Sequence, residues 1–123
     1  MLTPIAYGLA IVLVLLAILI GARFLLVPQA AAAGYGVPAR PGGDAAYLTI
    51  KGLRDLTSGV IGAALLAFSG THAVGWYLLA VALTPLGDTV IVLRHGGTRA
   101  AAFGIHFATA VAVVIGGLLM LAV

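Results

Sequence analysis

Cysteine and glutamate are absent from this chain, and lysine occurs once. Without thiols it can have no disulfide framework, no thiolate metal site and no thiol redox chemistry. Charge of either sign is scarce, at 7% of residues against roughly 25% in an ordinary soluble domain. No water-facing surface can be built from so little in a chain that is 63% hydrophobic with a mean hydropathy of +1.26. The net charge of +3 comes from six basic residues with no interleaved aromatic patch, which argues against a nucleic-acid partner. Metal-ligand spacing such as H-x-x-x-H is missing, as are a phosphate-binding loop, a dinucleotide fingerprint and a serine elbow. Neither a metal nor a cofactor is expected.

What is present is hydrocarbon in long blocks, which makes the lipid bilayer the expected solvent for one domain over residues 1–123. The first block, Ile5 to Val27, carries only Arg23 and is long enough to cross a core about 30 Å thick. A cleaved signal peptide, with "AAAAG" as the cleavage site, is the competing reading; it lacks a basic leader and the run is too long. Residues 28–45 hold three prolines and four glycines and read as a long loop. From Leu56 to Phe68 there are 13 apolar or small residues, fewer than the ~20 that a span needs. The second span must therefore begin near Ala46 and take in Lys51, Arg54 and Asp55. Each of these can cost about 2.5 to 3.5 kcal/mol if it faces lipid at mid-membrane. Ala73 to Leu93 and Ala100 to Val123 complete an all-α expectation, an antiparallel bundle of four transmembrane helices at about 5–27, 46–68, 73–93 and 100–123.

Antiparallel succession gathers Arg23, Lys51, Arg54, Asp55, Asp88, Arg94, Arg99 and His106 at one end, with only His72 at the other. The positive-inside rule turns the charged end to the cytoplasm and leaves the termini outside, in what we take to be a bacterial inner membrane. At about 100° per residue, Lys51, Arg54, Asp55, Ser58, Gly62 and Ser69 form one stripe, and Tyr77, Thr84, Asp88 and His95 another. Pro85 removes a hydrogen bond to the carbonyl of Val81. His106 shares a face with Arg99, Thr109, Val113 and Gly117. Beside it, Gly104, Ala108, Ala112 and Gly116 make a small-residue ridge on which a second copy could pack.

Arg23, Arg94 and Arg99 read as snorkelling side chains. His106 is equally a bond to a neighbouring helix or a proton carrier, and Asp55 with Arg54 and Lys51 is either a structural ion pair or part of a site. Asp88 says more: it has no basic neighbour one turn away in its own helix, so its partner must lie on another span.

The segments "ARFLLVPQ" (Ala22 to Gln29), "GYGVP" (Gly34 to Pro38), "KGLRDLTSG" (Lys51 to Gly59) and "TPLGDT" (Thr84 to Thr89) follow in order and cover nearly the whole chain. In them the sequence resembles the small four-helix membrane proteins grouped as domain of unknown function 4267, found in bacteria and fungi. The resemblance implies a four-span bundle and no reaction. From the residues, the leading expectation is a membrane enzyme acting on a lipophilic small molecule, as a hydrolase, isomerase or cyclase of an epoxide, polyketide or terpenoid. Asp55, Asp88, Arg54, Lys51 and His106 are the candidate catalytic residues, with one aspartate as base, the other as acid, and Arg54 as the positioning charge. Tyr35, Ser58, Tyr77, Thr84 and Thr109 are the candidate substrate-binding residues. The alternatives are a proton-coupled small-molecule transporter, disfavoured because the first span has no acidic residue, and a non-catalytic helper that binds a partner membrane protein.

Overall fold

The computed structural model describes residues 1–40 and 43–123, and every regular element among them is helical. Helix α1 spans Leu2–Leu26, α2 Pro28–Tyr35, α3 Ala45–Phe68, α4 Thr71–Val81 and α5 Leu83–Arg94. A short α6, Arg99–Ala101, runs into a π-helical turn, Ala102–Phe107, and then α7, Ala108–Ala122. Three stretches are long and apolar enough to cross a membrane: Leu2–Leu26, Thr71–Arg94 and Arg99–Ala122, with mean hydropathies of 2.9, 1.7 and 2.2. Helix α3 is as long, with 24 residues, and is set apart by Lys51, Arg54 and Asp55.

The helices pack in antiparallel pairs, and glycine decides how closely. Between α1 and α3, a Cβ on Gly52 would stand 2.8 Å from the carbonyl oxygen of Gly21 and 2.9 Å from the nitrogen of Leu25. Gly59 lies against Val14 and Ile18, and Gly62 against Val14 and Tyr77, so the two backbones touch along much of their length. The seam between α4 and α7 is built the same way: Gly75 faces Gly117 and Leu121, and Gly117 faces Leu79. Ala6, Ala10, Leu13, Val74, Leu78, Val113 and Met120 fill the core between these pairs.

The reading of residues 28–45 as a loop needs correction. Their first eight residues are helix α2, and Pro41 and Gly42 lie outside the described residues. Pro28 stands in the first turn, where its missing N–H costs nothing, the alanine run Ala30–Ala33 favours helix, and Gly36 closes it with φ +100°. Phe24, Ala31 and Ala32 seat α2 on α1, with Leu48 of α3 packed alongside. The third expected span is interrupted at Ala82, three residues before Pro85. The fourth is α-helical except at the π turn, Ala102–Phe107.

Candidate functional site

The charged stripe of α3 is held by a bond one turn long: Lys51 Nζ reaches Asp55 Oδ2 at 2.5 Å. The same ammonium lies 4.3 Å from the ring centre of Phe24 and 4.2 Å from that of Tyr35, within cation–π range. Ser58, one turn further, binds Tyr77 across the bundle. The phenol of Tyr77 donates to the Ser58 carbonyl, and the Ser58 hydroxyl donates to the Tyr77 oxygen at 2.9 Å.

Asp88 finds its partners on other elements, as its lack of a basic neighbour requires. The Tyr35 hydroxyl donates to Asp88 Oδ2, and Nδ1 of His106 lies 4.0 Å from the same oxygen. His106 is 2% exposed. Its Nε2 donates to the backbone carbonyl of Tyr35 at 2.6 Å; a carbonyl has no hydrogen to offer, so this bond fixes the proton on Nε2 and turns Nδ1 toward the carboxylate. The π turn makes most of the last helix's contact with α5, and π-helical turns recur at functional sites. Burial first, then the charge of Asp88 and its hydrogen bond, then the charge of Asp55, hold the Tyr35 phenol protonated well above the ordinary tyrosine range.

Tyr35 thus joins α2, α5 and the π turn through one residue, and α2 caps the polar end of the bundle. The cap is tight. A Cβ at Gly36 would stand 3.0 Å from the Cβ of Ala101, and one at Gly97 would stand 2.9 Å from the Gly36 carbonyl oxygen.

Beneath the cap lies a cavity of about 600 Å³. Lys51, Arg54, Asp55, Asp88 and His106 all line it, as do Tyr35, Ser58, Tyr77, Thr84 and Thr109. Every residue singled out in the sequence analysis as a site candidate therefore borders one space, whereas His95 is exposed and bonds the Ile91 carbonyl in its own helix. Leu13, Val14, Leu16, Ala17 and Ile20 of α1 give the cavity an aliphatic wall. Tyr47, Ile50 and Pro85 also line it and were not anticipated; Tyr47 sits one turn before Lys51, so the stripe itself pointed to it.

Helix α3 lies on α1, α2 and α4, whereas α5 lies on the π turn and α7. No packed seam joins α3 to α5. Tyr47 and Arg54 from α3 and Thr84 from α5 are exposed and yet line the cavity, which therefore opens sideways between these helices. On the other side, Leu13, Leu16, Ile105 and Thr109 divide it from a shallower groove bordered by Gly104, Ala108 and Ala112. Gly116, the last member of that small-residue ridge, is buried against Leu13 and Leu78 and is closed to a second copy. Among the described residues no three His, Asp or Glu side chains converge as metal ligands would.

No curated protein and no solved structure matches the chain. A family described as domain of unknown function (DUF4267) matches residues 14–120. Covering far more than half of the sequence, that match makes this protein a member of the family.

Proposed function

We propose that this protein is an integral membrane enzyme that performs acid–base chemistry on a lipophilic small molecule, a hydrolase, isomerase or cyclase working inside the bilayer. In this reading α3 crosses the membrane as a fourth, antiparallel span. Its charges are tolerated because they face the cavity rather than lipid. The charged end faces the cytoplasm, following the excess of arginine there.

One observation carries the proposal: the two carboxylates of Asp55 and Asp88, the Tyr35 phenol, the His106 imidazole and the Lys51 ammonium border a single cavity that α1 lines with aliphatic side chains. Such a space, mostly apolar with a few convergent polar groups, is the usual form of a small-molecule site. Asp88 is the proton acceptor, since its partners are the Tyr35 hydroxyl and the His106 ring, and neither is a fixed cation. Tyr35, kept as a phenol, donates its one hydrogen to Asp88 and so holds that carboxylate toward the cavity. His106 relays a proton through Nδ1 while its bond to the Tyr35 carbonyl holds the ring in place. Asp55, tied to Lys51, shapes the field beside them.

The test separates loss of charge from loss of shape. Wild type, Asp55→Asn and Asp88→Asn, purified in detergent, are compared in melting temperature and in turnover of a panel of lipophilic epoxides and polyenes. Asp88→Asn should lower turnover by about 100-fold or more, the range of general acid–base assistance. Its stability should change only by about 0.6 kcal/mol, typical of an interhelical bond in a membrane. Full turnover by both variants overturns the catalytic assignment, and a wild type inert to the whole panel favours the transporter or helper reading.

A further inference from the structure

We propose that the occupant of the cavity is a single-chain amphiphile ending in a carboxylate, with Arg54 as the residue that selects the head group. This rests on the cavity reading above and names the class of ligand it takes.

The cations bordering the cavity differ in one respect. Lys51 has its counter-ion, Asp55, at 2.5 Å and lies over two aromatic rings. Arg54 has no carboxylate within ion-pair distance among the described residues, although Asp55 follows it directly in sequence. Its side chain is exposed at the opening between α3 and α5. Arg54 lies nine residues past Ala45, roughly 13 Å along the helix, so in a spanning α3 the guanidinium falls within the hydrocarbon profile. A cation at that depth requires water or an anion. A guanidinium presents paired N–H donors in one plane, which a carboxylate, like a phosphate, matches in a bidentate contact.

The rest of the space fits the rest of such a molecule. Beyond the mouth, the aliphatic side chains of α1 offer a chain nothing but hydrocarbon. At about 600 Å³ the cavity is in the range that encloses a drug-sized ligand, which suits one tail and not the two of a membrane phospholipid. With the head held at Arg54, the chain passes Asp88 and Tyr35 on its way to the α1 wall. The position acted on then lies along the chain, away from the carboxylate.

The probes are radiolabelled dodecanoic acid and its methyl ester, with binding measured to the full chain in phosphatidylcholine nanodiscs at alkaline pH and corrected for empty discs. Wild type should bind the acid roughly tenfold or more tighter than the ester, a difference that a single charge-assisted contact can supply. Arg54→Gln should erase that preference, bringing acid and ester to the same affinity, while Arg54→Lys restores part of it. Thr84→Trp, which narrows the mouth, should weaken both ligands together. Equal binding of acid and ester by wild type overturns the head-group assignment and leaves the cavity reading standing. Absence of binding by either, with turnover of neutral substrates intact, overturns the amphiphile alone. A phospholipid head group could also supply the anion. If phosphatidylglycerol in the discs stabilises wild type but not Arg54→Gln, and Arg54→Gln still binds the acid as wild type does, Arg54 answers to the lipid and the proposal fails.

Discussion

The two sides of α3 are built on opposite principles. Toward α1 the helix presents Gly52 and Gly59, where an added methyl group would collide with main-chain atoms, and then Gly62, where it would meet the side chains of Val14 and Tyr77. Toward the cavity, the same turns present Lys51, Asp55 and Ser58, with no seam to α5 at all. The closeness on one side makes the gap on the other tolerable. A helix fixed along its length by backbone contact needs no second neighbour to hold its charged residues in place.

The sharpest way to break this contrast is to act on the glycine side. Gly52→Leu would drive a branched side chain into Gly21 and Leu25, where the obstacle is backbone and cannot swing aside. Overpacking typically costs about 1 to 3 kcal/mol where neighbours can yield, and here more is expected. Little monodisperse protein should survive size-exclusion chromatography. A monodisperse variant with an unchanged melting temperature would show that α1 and α3 are not locked.

On the cavity side the effect should be smaller. His106→Leu leaves the Tyr35 carbonyl without its donor, a loss of about 1 to 3 kcal/mol for a buried polar group. His106→Gln, which keeps an N–H donor, should recover part of the melting temperature. Equal destabilisation by the two variants would show that the ring's packing, rather than its bond to α2, matters.

The smallest effect is confined to alkali. The Tyr35 phenol stays protonated in the folded state beyond the ordinary tyrosine range, so its contribution to stability is full below about pH 10 and is lost as pH rises further. The unfolded chain gives up that proton first, and stability falls accordingly. Tyr35→Phe should match the wild-type melting profile in shape at neutral pH and show a shallower decline in alkali. Parallel declines would place the phenol in water.

Much of this was legible in the sequence, for reasons that can be named. Long apolar runs announce helices because a bilayer leaves the backbone few other ways to satisfy its polar groups. The facing of Lys51, Asp55 and Ser58 followed from helical spacing, and the need of Asp88 for a partner elsewhere followed from the lack of a cation in its own helix. Helix α2 was missed because its prolines and glycines were averaged over 18 residues, although Pro28 opens a helix and Gly36 closes one. Tyr35 was placed among the substrate-binding residues, but its bond to Asp88 depends on how α2 folds back over the bundle, and no local pattern encodes that. The π turn, Ala102–Phe107, was not legible in the sequence either.

For the lipophilic ligand proposed above, the unsealed side between α3 and α5 changes what concentration means. A ligand that arrives sideways, already dissolved among acyl chains, is counted per lipid and not per litre of water. The occupancy of the site then follows the mole fraction of ligand in the leaflet that the mouth faces. Adding bilayer dilutes the ligand, and sequestering it in the opposite leaflet withholds it, while the total amount in the sample stays the same.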